Sequence, residues 1–233
     1  MHRVLFVIPA RSGSKGVKDK NLQYVGERDL IERTILSARN ARIESDICFS
    51  SDSQDYLDRV SSLDSDILIV QRGKELSNDE ALTIDVISHA LESLNKPSDY
   101  YDYVALLQVT TPFRTSTHIE EAFSKINEGY LDSLVSVVDT HGYHPFRMKR
   151  IENDLLVNYI DQGFEDMRPR QKLPKVYLRN GAFYITKTDL FRKNKALLSG
   201  KIGYYEMDDI SSVNIDQILD LEFAQFIAKK YDI

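Results

Sequence analysis

Val4-Leu5-Phe6-Val7-Ile8-Pro9-Ala10-Arg11-Ser12-Gly13-Ser14-Lys15-Gly16, near the start of the chain, decides the fold class. Its first half is a short, β-branched apolar run of the kind that forms a strand buried on both faces; its second half is a loop of small and cationic residues. From Asp29 to Ala41, Leu30, Ile31, Ile35, Leu36 and Ala38 recur at helical spacing, and Ile47–Ser50 then reads as a second strand. The alternation continues with a helix around Tyr56–Leu63, a strand at Ile67–Val70, a helix at Leu82–Leu94, a strand at Val104–Gln108, a helix at Ile119–Ile126 and a strand at Leu131–Val138. Strands alternating with helices predict an α/β domain whose mostly parallel sheet is covered on both faces.

The rhythm breaks between Thr140 and Leu178, where His141, Gly142, His144, Pro145, a basic run through Arg150, Pro169 and Pro174 replace regular patterning. It resumes with a strand at Gly181–Thr186. A closing helix follows, whose Ile215, Ile218, Leu219, Phe223, Phe226 and Ile227 are expected to form one core-facing stripe. Residues 1–139 plus 179–233 therefore read as one α/β domain, with 140–178 as an insertion.

At 233 residues the chain is long enough for one large domain, or one with an elaboration, that buries roughly 70% of its unfolded surface. The formal charge of −6, with Lys and Arg dispersed along the chain, gives no footprint for a polyanion, so nucleic acid is not an expected partner. Cys48 is the one cysteine, which excludes an internal disulfide and a cysteine-rich metal site and fits a reducing compartment. No apolar run approaches the roughly 20 residues of a membrane span, and Val4–Ile8 is too short for a signal-peptide core. No membrane association and a cytoplasmic location are expected.

In an open parallel sheet, ligands bind beyond the carboxyl ends of the strands, which draws attention to the loops after the first, third and fourth. The first holds Pro9 to Gly16 with Lys18, Lys20 and Asn21: small residues that let backbone amides approach an anion, and several cations beside them. It lacks both the P-loop and the dinucleotide-fold glycine order. The third carries Gln71-Arg72 with Glu75-Leu76-Ser77, and the fourth Gln108-Val109-Thr110-Thr111-Pro112-Phe113-Arg114. Ordinary roles stand beside functional ones: Ser77 or Asn78 as a helix cap, Arg114 as a surface charge, Lys20 as a solvated cation. His141 and His144 have no evident third metal ligand and read as a structural turn. Cys48 reads as a buried small hydrophobe, and no Gly-x-Ser-x-Gly elbow is present.

Together these segments resemble the acylneuraminate cytidylyltransferases, the CMP-sialic acid synthetases. The likeness rests on Ile8 to Gly16 with Lys20-Asn21-Leu22, Glu75-Leu76-Ser77, Leu106-Leu107-Gln108 through Pro112-Phe113-Arg114, and His144-Pro145-Phe146. It continues through Arg170-Gln171 with Leu173-Pro174 and Asn180-Gly181-Ala182-Phe183-Tyr184, and so covers nearly the whole chain in order. The resemblance implies a three-layer, Rossmann-like nucleotide-diphospho-sugar transferase fold in which residues 140–178 form a dimerisation arm, and hence a homodimer. A lid folded on its own domain is the alternative for that segment. It implies transfer of CMP from CTP to the anomeric hydroxyl of a nine-carbon 2-keto sugar acid, with release of pyrophosphate. A Kdo or sugar-phosphate nucleotidyltransferase of the same fold, and a catalytically silent homologue, are the rival readings.

By the same resemblance, Ala10, Arg11, Ser14, Lys20, Asn21, Arg72 and Thr83 would hold the nucleotide, and Arg11, Lys15, Lys20 and Asp216 would serve catalysis. Gln108, Arg147, Arg170 and Tyr184 would line the sugar pocket, with Arg170 the preferred anchor for its carboxylate because a guanidinium fork binds carboxylates in bidentate fashion. Arg168 and Arg179 compete for that role, and Leu178 stands where relatives often carry an arginine. Magnesium is the implied cofactor. The family's Asp-Ile-Asp is Asn214-Ile215-Asp216 here, leaving Asp216 and a carbonyl from Asn214 as metal ligands, unless Asn214 simply caps the helix.

Overall fold

The computed structural model describes residues 2–13 and 16–233. Its elements are β1 (Val4–Pro9), β2 (Tyr24–Val25), β3 (Arg28–Asp29), α1 (Leu30–Arg39), β4 (Ser45–Ser51), α2 (Gln54–Leu63), β5 (Leu68–Gln71), α3 (Thr83–Ser93) and β6 (Tyr103–Leu107). After these come α4 (Ser116–Gly129), β7 (Ser133–Asp139), β8 (Lys149–Glu152), β9 (Leu155–Asn158), β10 (Tyr177–Lys187), α5 (Thr188–Asn194), β11 (Ile202–Glu206) and α6 (Ile218–Tyr231). Seven strands form one sheet in the order β11-β7-β10-β6-β1-β4-β5. Every pairing in it is parallel except those of β10, which runs antiparallel to both β6 and β7.

Alternation along β1 builds both faces of the core. Val4, Phe6 and Ile8 point into one apolar cluster with residues of α1, α2, α4 and α6; Leu5 and Val7 point into a second with Cys48 and residues of α3 and α5. The result is the three-layer α/β architecture expected from the strand rhythm. Local chemistry fixes the helix starts. Asp29 caps α1 by accepting from the Glu32 amide at 2.8 Å, and its carboxylate also meets Arg59. Thr115 and His118 form a reciprocal cap at α4. Cys48 is fully buried, and desolvation pushes its thiol up to about 12.

The closing helix corrects the expected stripe. Leu221, Ala224, Ile227 and Ala228 of α6 are buried, whereas Ile218, Leu219, Phe223 and Phe226 are exposed; Ile215 is buried but precedes the helix. A helix with apolar residues on two faces does not declare its core side by periodicity alone. Here the face with the small side chains of Ala224 and Ala228 is the one turned inward.

The topology also places the insertion. β7 runs in the same direction as β1, β4, β5 and β6, so the chain leaves it at the sheet end where those strands terminate, and returns as β10 beside it. The excursion contains the β8–β9 hairpin, with Lys149 paired to Asn158 and Glu152 to Leu155. None of its residues joins either core cluster. Ile151, Leu155, Leu156, Tyr159 and Phe164 are exposed, Leu156 to 70%.

Candidate functional site

A cavity of about 420 Å³ opens at the carboxyl ends of β1, β5 and β6, within the usual size of a small-molecule site. Ala10, Arg11, Lys20, Asn21, Arg72 and Thr83 all line it, and Gln108 and Thr110 form part of its wall. Three stretches of chain, far apart in sequence, thus meet in one place. Ser14 and Lys15 lie outside the described residues.

Each group is held by the fold. The Ala10 amide donates to the Ser50 carbonyl at 3.0 Å, extending the β1–β4 ladder to the mouth of the cavity. Asn21 is buried and its amide nitrogen donates to the Arg11 carbonyl at 2.9 Å, which fixes the far side of the loop. The Arg11 guanidinium pairs with Asp79 at 2.7 Å, both at the cavity wall. Lys20 donates from Nζ to the Ile215 carbonyl at 2.9 Å and stands 3.6 Å from the Asp216 carboxylate. Arg72 is buried, and its Nε has no hydrogen-bond partner among the described residues. Burial lowers its pKa, an effect opposed by Asp52 and reinforced by Arg11. An unpaired donor on a buried cation is costly to leave unsatisfied, so this position is suited to accepting a ligand's acceptor atom.

Two residues that support the site come from places the sequence pattern does not single out. Asp52, in the loop after β4, accepts from the Ser12 amide at 3.0 Å and from the Ser12 hydroxyl at 2.8 Å, tying down the cationic loop. Asp79 lies just past Glu75-Leu76-Ser77. Its only sequence signal is that proximity.

Asn214-Ile215-Asp216 is pinned beside this cavity, with the Ile215 amide donating to the Thr110 carbonyl at 2.9 Å and the Ile215 carbonyl bound by Lys20. Gly16 belongs to the same junction: a Cβ there would fall 2.1 Å from the Asp216 carbonyl oxygen, so only glycine lets the two segments come so close. Asn214 Nδ2 donates to Asp216 Oδ2 at 2.7 Å, while Asn214 Oδ1 is buried with no hydrogen-bond partner among the described residues. Among the described residues no group of three or more His, Cys, Asp or Glu side chains could hold a metal. The Asn214 amide turns its nitrogen, not its oxygen, to the Asp216 carboxylate. That carboxylate and the nearby amide oxygen are the hard oxygen donors that suit a divalent cation whose remaining ligands come from phosphate and water.

The sugar candidates are dispersed. Gln108 abuts Gly181, whose φ of +83° favours glycine, and a Cβ there would fall 2.4 Å from Gln108 Oε1 and displace the end of that side chain. A register shift in β10 between Arg179 and Tyr184 brings Gly181 to that point. Tyr184 packs against the second core cluster. Arg170 lines a separate cavity of about 280 Å³ with His141, His144 and Pro174. Arg147 donates to the Arg168 carbonyl at 2.6 Å, and Arg168 is engaged with Asp166, also at 2.6 Å, which holds that carboxyl down at about 2. Arg147 and Arg170 therefore do not face the main cavity of their own chain. His144 is buried with Nε2 on the Pro174 carbonyl at 3.1 Å, and His141 pairs with Asp209 at 2.8 Å.

A family model described as Cytidylyltransferase matches residues 5–231. The chain belongs to the cytidylyltransferase family. This cytidylyltransferase is 27% identical over 234 residues to the post-translational flagellin modification protein B of Campylobacter coli, covering 100% of the chain and 98% of that protein. It is 33% identical over 233 residues to the N-acylneuraminate cytidylyltransferase of Escherichia coli O18:K1:H7, covering 98% of the chain. The chain spans about half, 52%, of that enzyme's length. The fold is similar to that of a CMP:2-keto-3-deoxy-manno-octonic acid synthetase complexed with CTP, with a TM-score of 0.71 at 14% identity over 98% of the chain and 99% of that structure. No helix among the described residues is long and apolar enough to cross a membrane.

Proposed function

We propose that this cytidylyltransferase transfers CMP from CTP to the anomeric hydroxyl of a nine-carbon 2-keto sugar acid. The hydroxyl oxygen loses its proton to water as it bonds to the α-phosphorus, the bond from that phosphorus to the bridging oxygen of the β-phosphate breaks, and pyrophosphate leaves with that oxygen and its electron pair. The observation that carries the reading is the convergence of Arg11, Lys20, Asn21, Arg72 and Thr83 on one cavity at the strand ends. A triphosphate brings about four negative charges to a small site, so positioning and fixed positive charge do most of the catalytic work. Arg11 and Lys20 supply that charge. The Ala10 main chain, Asn21 and Thr83 bound the nucleoside, and the unpaired Arg72 donor meets the acceptor edge of the pyrimidine.

Asp216 and the Asn214 carbonyl would hold a magnesium ion. When bound, the ion supplies charge that offsets the negative charge of the phosphate oxygens. Lys20 then holds the metal-binding segment through the Ile215 carbonyl as well as facing the phosphates.

Gln108 begins the acceptor pocket beside the nucleotide. Arg147 and Arg170 complete it from the arm, and because neither faces its own chain's cavity, the reading has the arm of one protomer reach the site of its partner in a homodimer. The exposed Leu155, Leu156 and Tyr159 of the hairpin favour this over a lid on the same chain, since a lid would cover them. The relatives point to more than one acceptor: their names refer to an acylneuraminate, to a 2-keto-3-deoxy-octonic acid and to flagellin modification. The nonulosonic acids, including N-acetylneuraminate, legionaminate and pseudaminate, are the class proposed.

The test is pyrophosphate release by the purified chain with Mg²⁺, each of the four nucleoside triphosphates and a panel of 2-keto sugar acids. CTP with a nine-carbon acid should give turnover. Preference for UTP or GTP, or a better rate with an eight-carbon acid, overturns the assignment, and CTP binding without turnover on any acid makes the chain a silent homologue.

A further inference from the structure

On the other side of the β6 loop from the nucleotide cavity lies a second pocket, of about 300 Å³, whose walls include Arg28, Arg33, Arg114, Ser37, Thr115 and Ser116. Three guanidiniums share it, and no residue lining it carries a carboxylate. Arg114 is the central one. It is 4% exposed and makes no ion pair among the described residues: Nε donates to Ser37 Oγ at 3.1 Å, and Nη1 to the Gln108 and Ala182 carbonyls at 3.0 and 2.7 Å. Burial without a counter-charge lowers its pKa.

Arg33 is fixed by donation from Nε to the Val25 carbonyl at 2.7 Å, with its guanidinium 5.8 Å from the centre of the Phe113 ring. Burial and the neighbouring Arg28 lower its pKa, while Glu32 works the other way. Glu32 is the one carboxylate paired with any of the three among the described residues, reaching Arg28 at 3.5 Å while also bound to Arg59. Ser116 opens the fourteen-residue α4, whose first amides have no acceptor within the helix.

A buried arginine left without an anion is expensive, and Arg28 beside Arg33 adds a repulsion of its own. We infer that this pocket is a binding site for a phosphate-type oxyanion, held by Arg28, Arg33 and Arg114 with help from Ser116 and the start of α4. Guanidinium forks and a helix N-terminus both match the geometry of such a group. The free-phosphate and pyrophosphate forms share that chemistry, the second being the by-product of the proposed reaction. Arg114 also links the pocket to the acceptor side of the main site, because its Nη1 holds the backbone on either side of the Gln108–Gly181 contact. This coupling rests on the function proposed above; the binding does not.

Calorimetry on the full chain, without CTP or sugar acid, separates the two. Inorganic phosphate and pyrophosphate are each titrated into the wild type, Lys20→Ala and Arg28→Ala/Arg33→Gln. Lys20→Ala should retain a site that the double variant weakens by about tenfold or more. Arg28→Ala alone, at an exposed position, should weaken it partially and guards against a folding defect in the double variant. Equal phosphate and pyrophosphate binding by wild type and both arginine variants, or loss of all binding in Lys20→Ala, overturns the site. The tighter of the two anions identifies the source. In turnover assays, the bound anion should shift the KM for the sugar acid by about fivefold while leaving that for CTP unchanged, and only where Arg28 and Arg33 are intact. Binding without such a shift supports the site and overturns its coupling to Gln108.

Discussion

The nucleotide cavity and the arm are built on opposite terms. Around the cavity, polar side chains are drawn inward and most are tied to backbone: Asn21 to Arg11, Lys20 to Ile215, Ser12 to Asp52. Along the arm, apolar side chains face outward, and the segment shares no residue with either core cluster. One chain therefore carries what preorganises the first region, whereas the second has a surface in search of a cover. Under the proposed reading, one protomer completes the nucleotide site by itself, and the acceptor site is the part that calls for an assembly.

The sharpest way to break that contrast is at Lys20. Lys20→Ala removes a positive charge facing the phosphates and releases the Ile215 carbonyl, so kcat should fall by about 10²–10³-fold, as when one preorganised electrostatic donor is lost. Thermal unfolding should move little, because the residue lies at the cavity rim and outside the core. Activity within a factor of about three of wild type, measured by pyrophosphate release, would remove the cation from the mechanism.

That the cavity could be anticipated at all reflects where its residues sit. The β1, β5 and β6 strands are short, continuous apolar runs bounded by loops, and those loops carry Arg11, Arg72 and Gln108 just past a strand end, with Lys20 further along the first loop. Asp52 was invisible because it acts through Ser12 and touches the site only indirectly. β11 was missed for a different reason: Ile202 to Glu206 is an edge strand with Ile202 and Tyr204 exposed, so it lacks the continuous apolar run that marked the central strands. The α6 stripe misled because Phe223 and Phe226 are apolar without being inside. Sequence pattern reports hydrophobicity, and burial follows only when a second surface exists to receive it.

The arm offers the next test. Leu155→Asp/Leu156→Asp places one charge on each side of β9, both of them exposed, and leaves the chain's own packing untouched. The variant should unfold within about 2 °C of the wild type, since surface substitutions away from packed features change stability by less than about 0.5 kcal/mol. Light scattering should report a monomer where the wild type is a dimer, and the KM for the sugar acid should rise by about tenfold or more while CTP affinity holds, as expected for loss of a charge-assisted carboxylate contact of about 1.5–3 kcal/mol. A wild type that is itself monomeric at assay concentration, or equal weakening of both substrates, would return the arm to its own chain as a lid.

The smallest expected effect concerns Asn214, on the cavity side of the comparison. In the wild type its Nδ2 bonds Asp216 Oδ2 at 2.7 Å and its buried Oδ1 has no hydrogen-bond partner among the described residues. Asn214→Asp exchanges that hydrogen bond for two carboxylates in contact, whose repulsion a divalent cation relieves. Half-saturation with Mg²⁺ should therefore fall by about three- to tenfold, with kcat at saturating metal changed less. Without metal the repulsion raises the pKa of one carboxylate above its unfolded value. The folded chain then binds more protons than the unfolded one, and the variant should lose stability as pH rises through that range. Added Mg²⁺ should restore it. The expected alternative of Asn214 as helix cap does not hold, since Gln217 and Asp220 cap α6. A half-saturation point that does not move, together with a pH–stability profile identical to the wild type, would leave Asn214 as a hydrogen-bond partner of Asp216 alone and Asp216 to act without it.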